Sequence, residues 1–206
     1  MFMKIYNTLS HKEEVFIPWE EGKVSFYTCG PTVYHYAHIG NMRNYIGHDI
    51  LDKTLRFIGF DVTRCMNITD VGHLTSDSDS GDDKMVASAK KEHKSVLDIA
   101  SFYTDAFFKD FDALNCKRPE IVSNATDNID EYIKIITKLL EDGYAYKAGG
   151  NVYFDTSKLK DYYVLTNHKE DDMVVGARES VEYDASKKNQ VDFALWFTKS
   201  KFDSQE

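Results

Sequence analysis

The residue types best suited to chemistry are concentrated between positions 29 and 41. His38 and Asn41 are three residues apart, and Gly40 lies between them. On a helix that begins here, side chains three apart share one face, and both can donate hydrogen bonds. Gly40 has no Cβ, so a flat base or a ribose can approach its backbone closely. This spacing predicts a cradle for the phosphates of ATP during attack on the α-phosphorus, where charge builds on oxygen.

The surrounding pattern predicts the elements that position this segment. Residues 23–29 alternate in polarity like a strand, which Gly30-Pro31 ends. Residues 40–58 show a helical apolar pattern that Gly59 closes, and residues 61–68 predict a second strand. Such a βαβ unit has parallel strands, and ligands bind at the carboxyl end of its first strand. The apolar face predicted for the helix consists of Ile46, Ile50, Leu51, Leu55 and Ile58.

The rest of the chain predicts further helices and strands without internal repeats. One helix is expected to begin with a capping box at Ser95, and another over residues 128–142, ended by Gly143. The apolar face predicted for the first of these helices consists of Val96, Ile99, Ala100, Tyr103, Phe107 and Phe111. A β-hairpin and a short buried strand are expected further along, at 144–154 and 191–197. These elements predict a front α/β domain over residues 1–114, an inserted α+β subdomain over 115–189, and a return to the first domain over 190–206.

Composition excludes several classes of protein. The formal net charge of −9 argues against a protein that grips nucleic acid along its whole surface. No run approaches the ~20 apolar residues of a membrane span, and the N-terminus lacks signal-peptide features, so we expect a cytoplasmic location. The three cysteines form no CxxC pair. Cys65 and Cys116 are therefore expected to be buried thiols.

Several segments together resemble one family. His-Ile-Gly-Asn at 38–41, after Cys-Gly-Pro-Thr-Val-Tyr at 29–34, resembles the "HIGH" signature of class I aminoacyl-tRNA synthetases, in the form seen in cysteinyl-tRNA synthetases. The resemblance covers essentially the whole chain and implies an α/β fold, with a Rossmann-like parallel sheet and an inserted α+β connective subdomain. The other matching segments follow in the order of that family: residues 5–9, 67–70, 110–115, 143–146 and 192–196.

The resemblance implies an ATP-binding role for the helix start. His38, Gly40 and Asn41 would bind ATP together with magnesium, and His38 and Asn41 would be the catalytic residues. The last signature residue of the family is usually histidine. Asn41 can donate a hydrogen bond but cannot become cationic, so its phosphate contact would be weaker and independent of pH.

The resemblance also implies an amino-acid pocket for L-cysteine. Cys29, Gly30, Thr32 and Thr69 match positions that line this pocket. Cys29 would also be the first ligand of a zinc ion that binds the thiolate of the substrate. Zinc prefers thiolate to hydroxyl, so such an ion could reject serine, which apolar contacts alone would do poorly.

The chain departs from the family at its end. Three further zinc ligands, a pocket-closing tryptophan, the Lys-Met-Ser-Lys-Ser loop and the anticodon-binding domain lie beyond the position that matches Trp196. None of these occurs before Glu206. The resemblance therefore implies that this chain, expected to be monomeric, contacts little of tRNA(Cys) and does not form cysteinyl-adenylate at a useful rate alone.

Two other interpretations stay open. A ligase of the mycothiol-pathway type would keep the cysteine and ATP sites but join cysteine to an amino sugar. A non-catalytic chain would fold and bind nucleotide weakly. His35 and His73 lie near the same loops, and we expect ordinary polar contacts for both.

Overall fold

The computed structural model describes residues 3–71, 95–165 and 186–197. His73, for which we expect an ordinary polar contact, and residues 166–185 of the expected inserted subdomain lie outside these ranges. Two strands, β1 and β2, form a small sheet that precedes the βαβ unit. The elements in chain order are β1 Lys4–Asn7, β2 Lys12–Val15, β3 Lys23–Thr28, α1 Ile39–Phe57, β4 Asp61–Ile68, α2 Val96–Ala113, β5 Ile121–Asn124, α3 Ile129–Glu141, β6 Ala145–Ala148, β7 Asn151–Phe154 and β8 Phe193–Trp196.

The predicted βαβ unit is confirmed, and it forms part of a three-stranded parallel sheet. The strand order is β3-β4-β5, with both pairings parallel. The first pairing runs from Lys23 opposite Asp61 to Thr28 opposite Met66. Strand β5, which the sequence pattern did not predict, pairs Cys65 with Ile121. The carboxyl ends of the parallel strands therefore lie at one edge, where the segment 29–41 begins.

The buried face of α1 agrees with the predicted one only in part. Leu55 is buried, and Ile46 and Leu51 pack against buried core residues. Ile50 is 60% exposed, so the prediction that it packs into the core is wrong. Two aspartates, Asp49 and Asp52, are also buried on α1. Charged residues at helical spacing can therefore lie on the same buried side as the apolar ones. The apolar pattern therefore identified part of the buried face and missed its two charged members. The buried residues of α1 are Met42, Tyr45, Asp49, Asp52 and Leu55.

Basic groups surround the buried carboxylate of Asp52. Arg56 Nε lies 2.6 Å from Asp52 Oδ1, and Arg64 Nε on β4 lies 3.7 Å from Asp52 Oδ2. Both the Asp52 and Arg64 side chains are 0% exposed. Burial, and then the charge of Arg64, lowers the pKa of the nearby His48. The charges are buried because each has an opposite partner, without which desolvation would be prohibitive.

A second set of contacts ties α1 and β4 to the chain before β5. The carboxylate of Asp49 accepts a hydrogen bond from Lys117 N at 2.7 Å and pairs with Lys53 Nζ at 2.7 Å. Glu120 Oε2 accepts from Arg64 N at 2.8 Å, and Glu120 also pairs with the Lys117 ammonium group. Burial acts to raise the pKa of Glu120, but the hydrogen bonds from Lys117 and from the Arg64 N–H outweigh it and lower the pKa to about 2.

Helix α2 supplies the aromatic part of the core, as predicted. Ser95 Oγ accepts a hydrogen bond from Asp98 N at 3.1 Å, so the predicted cap is present. Cys116 is buried in the same cluster, as expected, whereas Cys65 is only half-buried. The cluster contains Val33, Met42, Tyr45, Met66, Ile68, Ile99, Ala100, Tyr103, Phe107, Phe108, Phe111 and Cys116.

The predicted hairpin is confirmed, and a third strand joins it. β6 and β7 are antiparallel, and the turn between them has positive φ at Gly149 and Gly150, 60° and 94°. β8 adds to the outer side of β7, with Phe193 opposite Phe154. The sequence predicted a buried strand here, but the residues of β8 are half-buried or exposed. Helix α3, also predicted, buries none of its residues fully.

One buried carboxylate fastens β8 within this region. Asp192 accepts hydrogen bonds from Thr156 N at 2.9 Å, from Asn189 N at 3.0 Å and from the Tyr146 hydroxyl at 2.7 Å. Burial acts to raise the pKa of Asp192, but these hydrogen bonds outweigh it and lower the pKa. The acid therefore stays charged and fully hydrogen-bonded at the start of β8.

The contacts divide the described chain into two compact units. The first contains residues 3–5, 13–71 and 95–128, and the second contains residues 6–12, 129–165 and 186–197. The domain limits at 114 and 189, which came from the sequence pattern, remain predictions. No helix in the described part of the chain is long and apolar enough to cross a membrane.

Candidate active site

The chain turns sharply after β3, and the turn needs a glycine. A Cβ placed on Gly30 would lie 1.7 Å from the backbone oxygen of Asn67, a distance that no side chain can adopt. The backbone of Gly30 therefore packs directly on the end of β4. Hydrogen bonds extend this contact, from Thr69 N to Pro31 O at 3.0 Å and from Val33 N to Thr69 O at 3.1 Å.

This turn brings together three residues of the predicted amino-acid pocket. Thr32 and Thr69 are directly opposite each other in a parallel bridge, and Gly30 lies two residues before Thr32. The side chain of Asn67 fills the space beside them. Sequence reasoning included Asn67 in a family motif without giving it a role. Its place in the site becomes visible only in the structure, where Asn67 contacts Gly30, 37 residues earlier in the chain.

Cys29 is exposed and close to the same turn. Its Sγ lies 3.8 Å from Gly30 O. Tyr45, which is buried on α1, is near enough to be affected. Burial, and then the charge of Cys29, raises the pKa of Tyr45 to about 12. The Tyr45 hydroxyl is therefore a neutral group near this thiol at physiological pH.

His38 and Asn41 form a reciprocal cap on α1. His38 Nδ1 accepts hydrogen bonds from Gly40 N at 3.1 Å and Asn41 N at 3.4 Å. Asn41 Oδ1 accepts from His38 N at 3.0 Å. These bonds occupy the acceptor atoms of both side chains, so the ring must carry its proton on Nε2 when it is neutral. They leave the Nε2–H of His38 and the amide hydrogens of Asn41 as donors for a ligand.

The cap also changes the predicted role of the helix terminus. The N–H groups of Gly40 and Asn41 at the helix start donate to His38 Nδ1, so the phosphate cradle predicted here would rely on the side chains. A Cβ on Gly40 would come within 2.9 Å of the His38 ring. The absence of a Cβ at Gly40 therefore leaves the space that the His38 imidazole occupies in this cap.

A cavity of about 200 Å³ lies between the 30–37 loop, α1 and α2. Of the predicted site residues, Gly30, Thr32 and Asn41 line it, whereas the other four are not part of its wall. Tyr45 of α1 and the α2 residues Tyr103 and Phe107 also line it. Sequence reasoning placed the two α2 residues only on an apolar helix face and gave Tyr45 no role. His35 also lines the cavity, with its Nδ1 2.6 Å from Tyr36 O, so the expected ordinary polar contact is confirmed.

The described residues do not form a complete metal site. Within the described ranges, no group of three histidine, cysteine or acidic side chains is arranged to hold a metal ion. Cys29 is one thiol donor, and zinc sites use three or four protein ligands. These residues alone therefore do not fit a bound zinc ion.

Comparison with known proteins assigns the chain to a class. Residues 15–205 match the family described as the catalytic domain of class I (C) tRNA synthetases, and the chain belongs to this family. A LeuRS–tRNA–LeuAMS complex from Agrobacterium radiobacter shares the fold, with a TM-score of 0.52 at 20% identity over 69% of this chain and 18% of that chain. The mixed α/β fold with a parallel sheet is thereby confirmed.

Curated relatives give a more specific similarity. A cysteine–tRNA ligase of Treponema denticola is 57% identical over 205 residues, which cover 100% of this chain and 41% of the relative. A cysteine–tRNA ligase of Treponema pallidum is 49% identical, covering 98% and 39%, and that of Zymomonas mobilis is 49% identical, covering 93% and 36%. The resemblance to cysteinyl-tRNA synthetases is confirmed. The chain spans about two fifths of the length of these relatives.

Proposed function

We propose that the protein to which this chain belongs activates L-cysteine with ATP and joins it to tRNA(Cys). The observation that carries the proposal is the 57% identity to a cysteine–tRNA ligase across the whole chain. In the first step, a carboxylate oxygen of cysteine attacks the α-phosphorus of ATP and pyrophosphate leaves. In the second step, a terminal hydroxyl of the tRNA attacks the activated carbonyl and AMP leaves.

The start of α1 is the proposed ATP end of the site. His38 and Asn41 would be the catalytic residues, because their remaining hydrogen-bond donors can stabilise charge that develops on phosphate oxygens. The reciprocal cap supports this role, since it holds both side chains at the helix start in one orientation. Gly40 would lie beside the nucleotide. Magnesium would accompany ATP and neutralise phosphate charge.

The turn after β3 is the proposed amino-acid end. Gly30, Thr32 and Thr69 would surround the substrate, which the pairing of Thr32 with Thr69 supports. Cys29 would supply one thiolate to a zinc ion whose other ligands come from outside the described residues. Zinc, when bound, would supply a preference for the thiolate of cysteine over the hydroxyl of serine.

The acceptor is proposed to be tRNA rather than an amino sugar. The relatives reported above are cysteine–tRNA ligases, which supports a tRNA acceptor. The 206-residue chain by itself is expected to be inactive in adenylate formation, because one thiol cannot hold zinc. Monomeric state and cytoplasmic location remain predictions.

Cysteine-dependent exchange between ATP and pyrophosphate tests this function. The gene is read past the codon for Glu206, and the full reading frame is expressed beside the 206-residue chain. We expect exchange by the full product with cysteine, none with serine, and none by the 206-residue chain. Charging of tRNA(Cys) by the full product tests the second step, with an amino-sugar acceptor as the comparison. Exchange with a different amino acid, or cysteine transfer only to the sugar, would overturn the proposal.

A further inference from the structure

One amide side chain connects the parts of the proposed amino-acid pocket. Asn67 Oδ1 accepts hydrogen bonds from Gly30 N at 2.8 Å and from the Tyr27 hydroxyl at 2.6 Å. Asn67 Nδ2 donates to Thr69 Oγ1 at 3.1 Å. Asn67 is therefore bonded to two of the four positions assigned to the amino acid.

The neighbours of Asn67 fix the orientation of its amide. A backbone N–H can only donate, so the atom that faces Gly30 must be the amide oxygen. The amide nitrogen then faces Thr69, and it too can only donate. The oxygen of Thr69 must accept this bond, so the hydroxyl proton cannot point at Asn67. Among the described residues, none accepts a hydrogen bond from Thr69 Oγ1.

Thr69 is half-buried and lies in the strand phase opposite to the core residues of β4. Burial alternates along β4, and Met66 and Ile68 are fully buried in the core cluster that α1 and α2 help to form. Asn67 and Thr69 are in the opposite phase and only half-buried. Residues two apart on a strand share one face, so a ligand can reach the hydroxyl from the side that α1 and α2 do not cover.

We infer that Asn67 is a positioning residue that holds the Thr69 hydroxyl as a hydrogen-bond donor toward an acceptor atom of the bound amino acid. The inference rests on the proposed function, because it requires Thr69 to line the amino-acid pocket. The acceptor is a carboxylate oxygen or the sulfur, since an ammonium group has no lone pair. The N–H of Gly30 is already bonded to Asn67, so Gly30 contributes shape to the pocket and no donor.

Asn67→Asp tests this inference in the product of the full reading frame. Aspartate has the same shape and still accepts from Gly30 and Tyr27, but it cannot donate to Thr69. The hydroxyl proton then turns toward the new carboxylate. We expect the KM for cysteine in ATP–pyrophosphate exchange to rise about tenfold, the size of one hydrogen bond to a charged group, while the KM for ATP is unchanged. Tyr27→Phe is the matched control, because it removes the other side-chain bond to the same amide, and it should change the KM for cysteine by less than about twofold.

A double-mutant cycle separates this role from charge repulsion and from misfolding. In a Thr69→Val background the hydroxyl is absent, so Asn67→Asp should add less than about a twofold further change. Asn67→Ser also loses the bond to Thr69 but adds no charge. The Thr69 hydroxyl is then no longer held in one orientation, so the KM for cysteine should rise, but less than with Asn67→Asp; this variant serves as the test if Asn67→Asp does not fold. An equal rise in the KM for cysteine with and without the Thr69 hydroxyl would overturn the inference.

The outcomes distinguish this inference from the proposed function. A wild-type protein without cysteine-dependent exchange would overturn the proposed function itself. An active wild-type protein whose KM for cysteine is unaltered by Asn67→Asp and Asn67→Ser would overturn only the role of Asn67.

Discussion

Arg64 of β4 and Asp52 of α1 form an ion pair that is fully buried, with 3.7 Å between Arg64 Nε and Asp52 Oδ2. The pair joins the central strand of the parallel sheet to the helix that begins at the site. Removing one partner of a buried pair leaves the other charge without compensation, and this costs far more than the loss of an exposed pair. The stability of the first unit should therefore depend strongly on these two side chains.

Asp52→Asn is expected to lower the free energy of unfolding by about 3 kcal/mol, because the shape is kept while Arg64 stays buried and charged. Urea unfolding followed by circular dichroism measures the change. Glu20→Gln is a control in the same unit, since Glu20 pairs with Lys23 at the surface. It should change stability by less than about 1 kcal/mol. Equal effects of the two substitutions would contradict the proposed importance of the buried pair.

Gly30→Ala should destabilise the protein by about 1–3 kcal/mol, because its Cβ would overlap the backbone oxygen of Asn67. Gly47→Ala is the matched control. Gly47 lies inside α1 with no atom within 4 Å of its added Cβ. Alanine favours the helix there, so this variant should gain about 0.5–1 kcal/mol. Thermal unfolding of both variants measures the expected loss of stability for Gly30→Ala and the expected gain for Gly47→Ala. A Gly30→Ala variant as stable as the wild type would show that the turn tolerates a side chain.

Substitutions at His38 can separate helix capping from chemistry. Asparagine is a good N-cap, so His38→Asn should keep stability within about 0.5 kcal/mol, whereas His38→Ala should lose about 1 kcal/mol. Both should lower cysteine-dependent exchange by the full-length product at least about 100-fold, because both remove the imidazole donor. Exchange retained by the asparagine variant would mean that the residue serves α1 only.

The pH dependence of stability should contain a contribution from Glu120. Its pKa falls from 4.5 to about 2 on folding, so the unfolded chain binds the proton more readily. The stabilisation is thus fully present above pH 4.5 and is lost as the pH falls toward about 2. Glu120→Gln should be less stable than the wild type above pH 4.5, and the difference should shrink as the pH falls. Urea unfolding at a series of pH values checks this, and a constant difference would contradict it.

The regular elements of the fold could be predicted because they follow apolar periodicity. The parallel βαβ unit, the face of α2 and the β6–β7 hairpin were all found in this way. Periodicity failed where charged residues take core positions, as on α1. Asp49 and Asp52 each pair with a cation one turn further along α1, Lys53 and Arg56. Their burial also depends on partners from distant parts of the chain, the Lys117 N–H and the Arg64 side chain, which the local sequence does not reveal. Strand β5 escaped prediction because none of its four residues is fully buried, so its sequence carries little apolar alternation.

The candidate site, too, could be predicted from the sequence only in part. The pairing of Thr32 with Thr69 agrees with their shared assignment to the amino-acid pocket, which came from family resemblance. The role of Asn67 depends on the direction in which its amide points, and the backbone of Gly30 decides that direction. The site assignments themselves remain predictions that the experiments above can test.

The pairing of β8 with β7 has a consequence for synthesis on the ribosome. The β6–β7 hairpin closes through the two glycines Gly149 and Gly150 and can form as soon as it emerges. Its third strand and the Asp192 carboxylate that fastens it are translated only after a long intervening stretch. The outer edge of β7 is therefore open while the chain grows, when an unpaired strand can join another molecule. Stalled nascent chains that end before β8 should be more sensitive to proteolysis in the hairpin than chains that include it, and equal sensitivity would argue against this folding order.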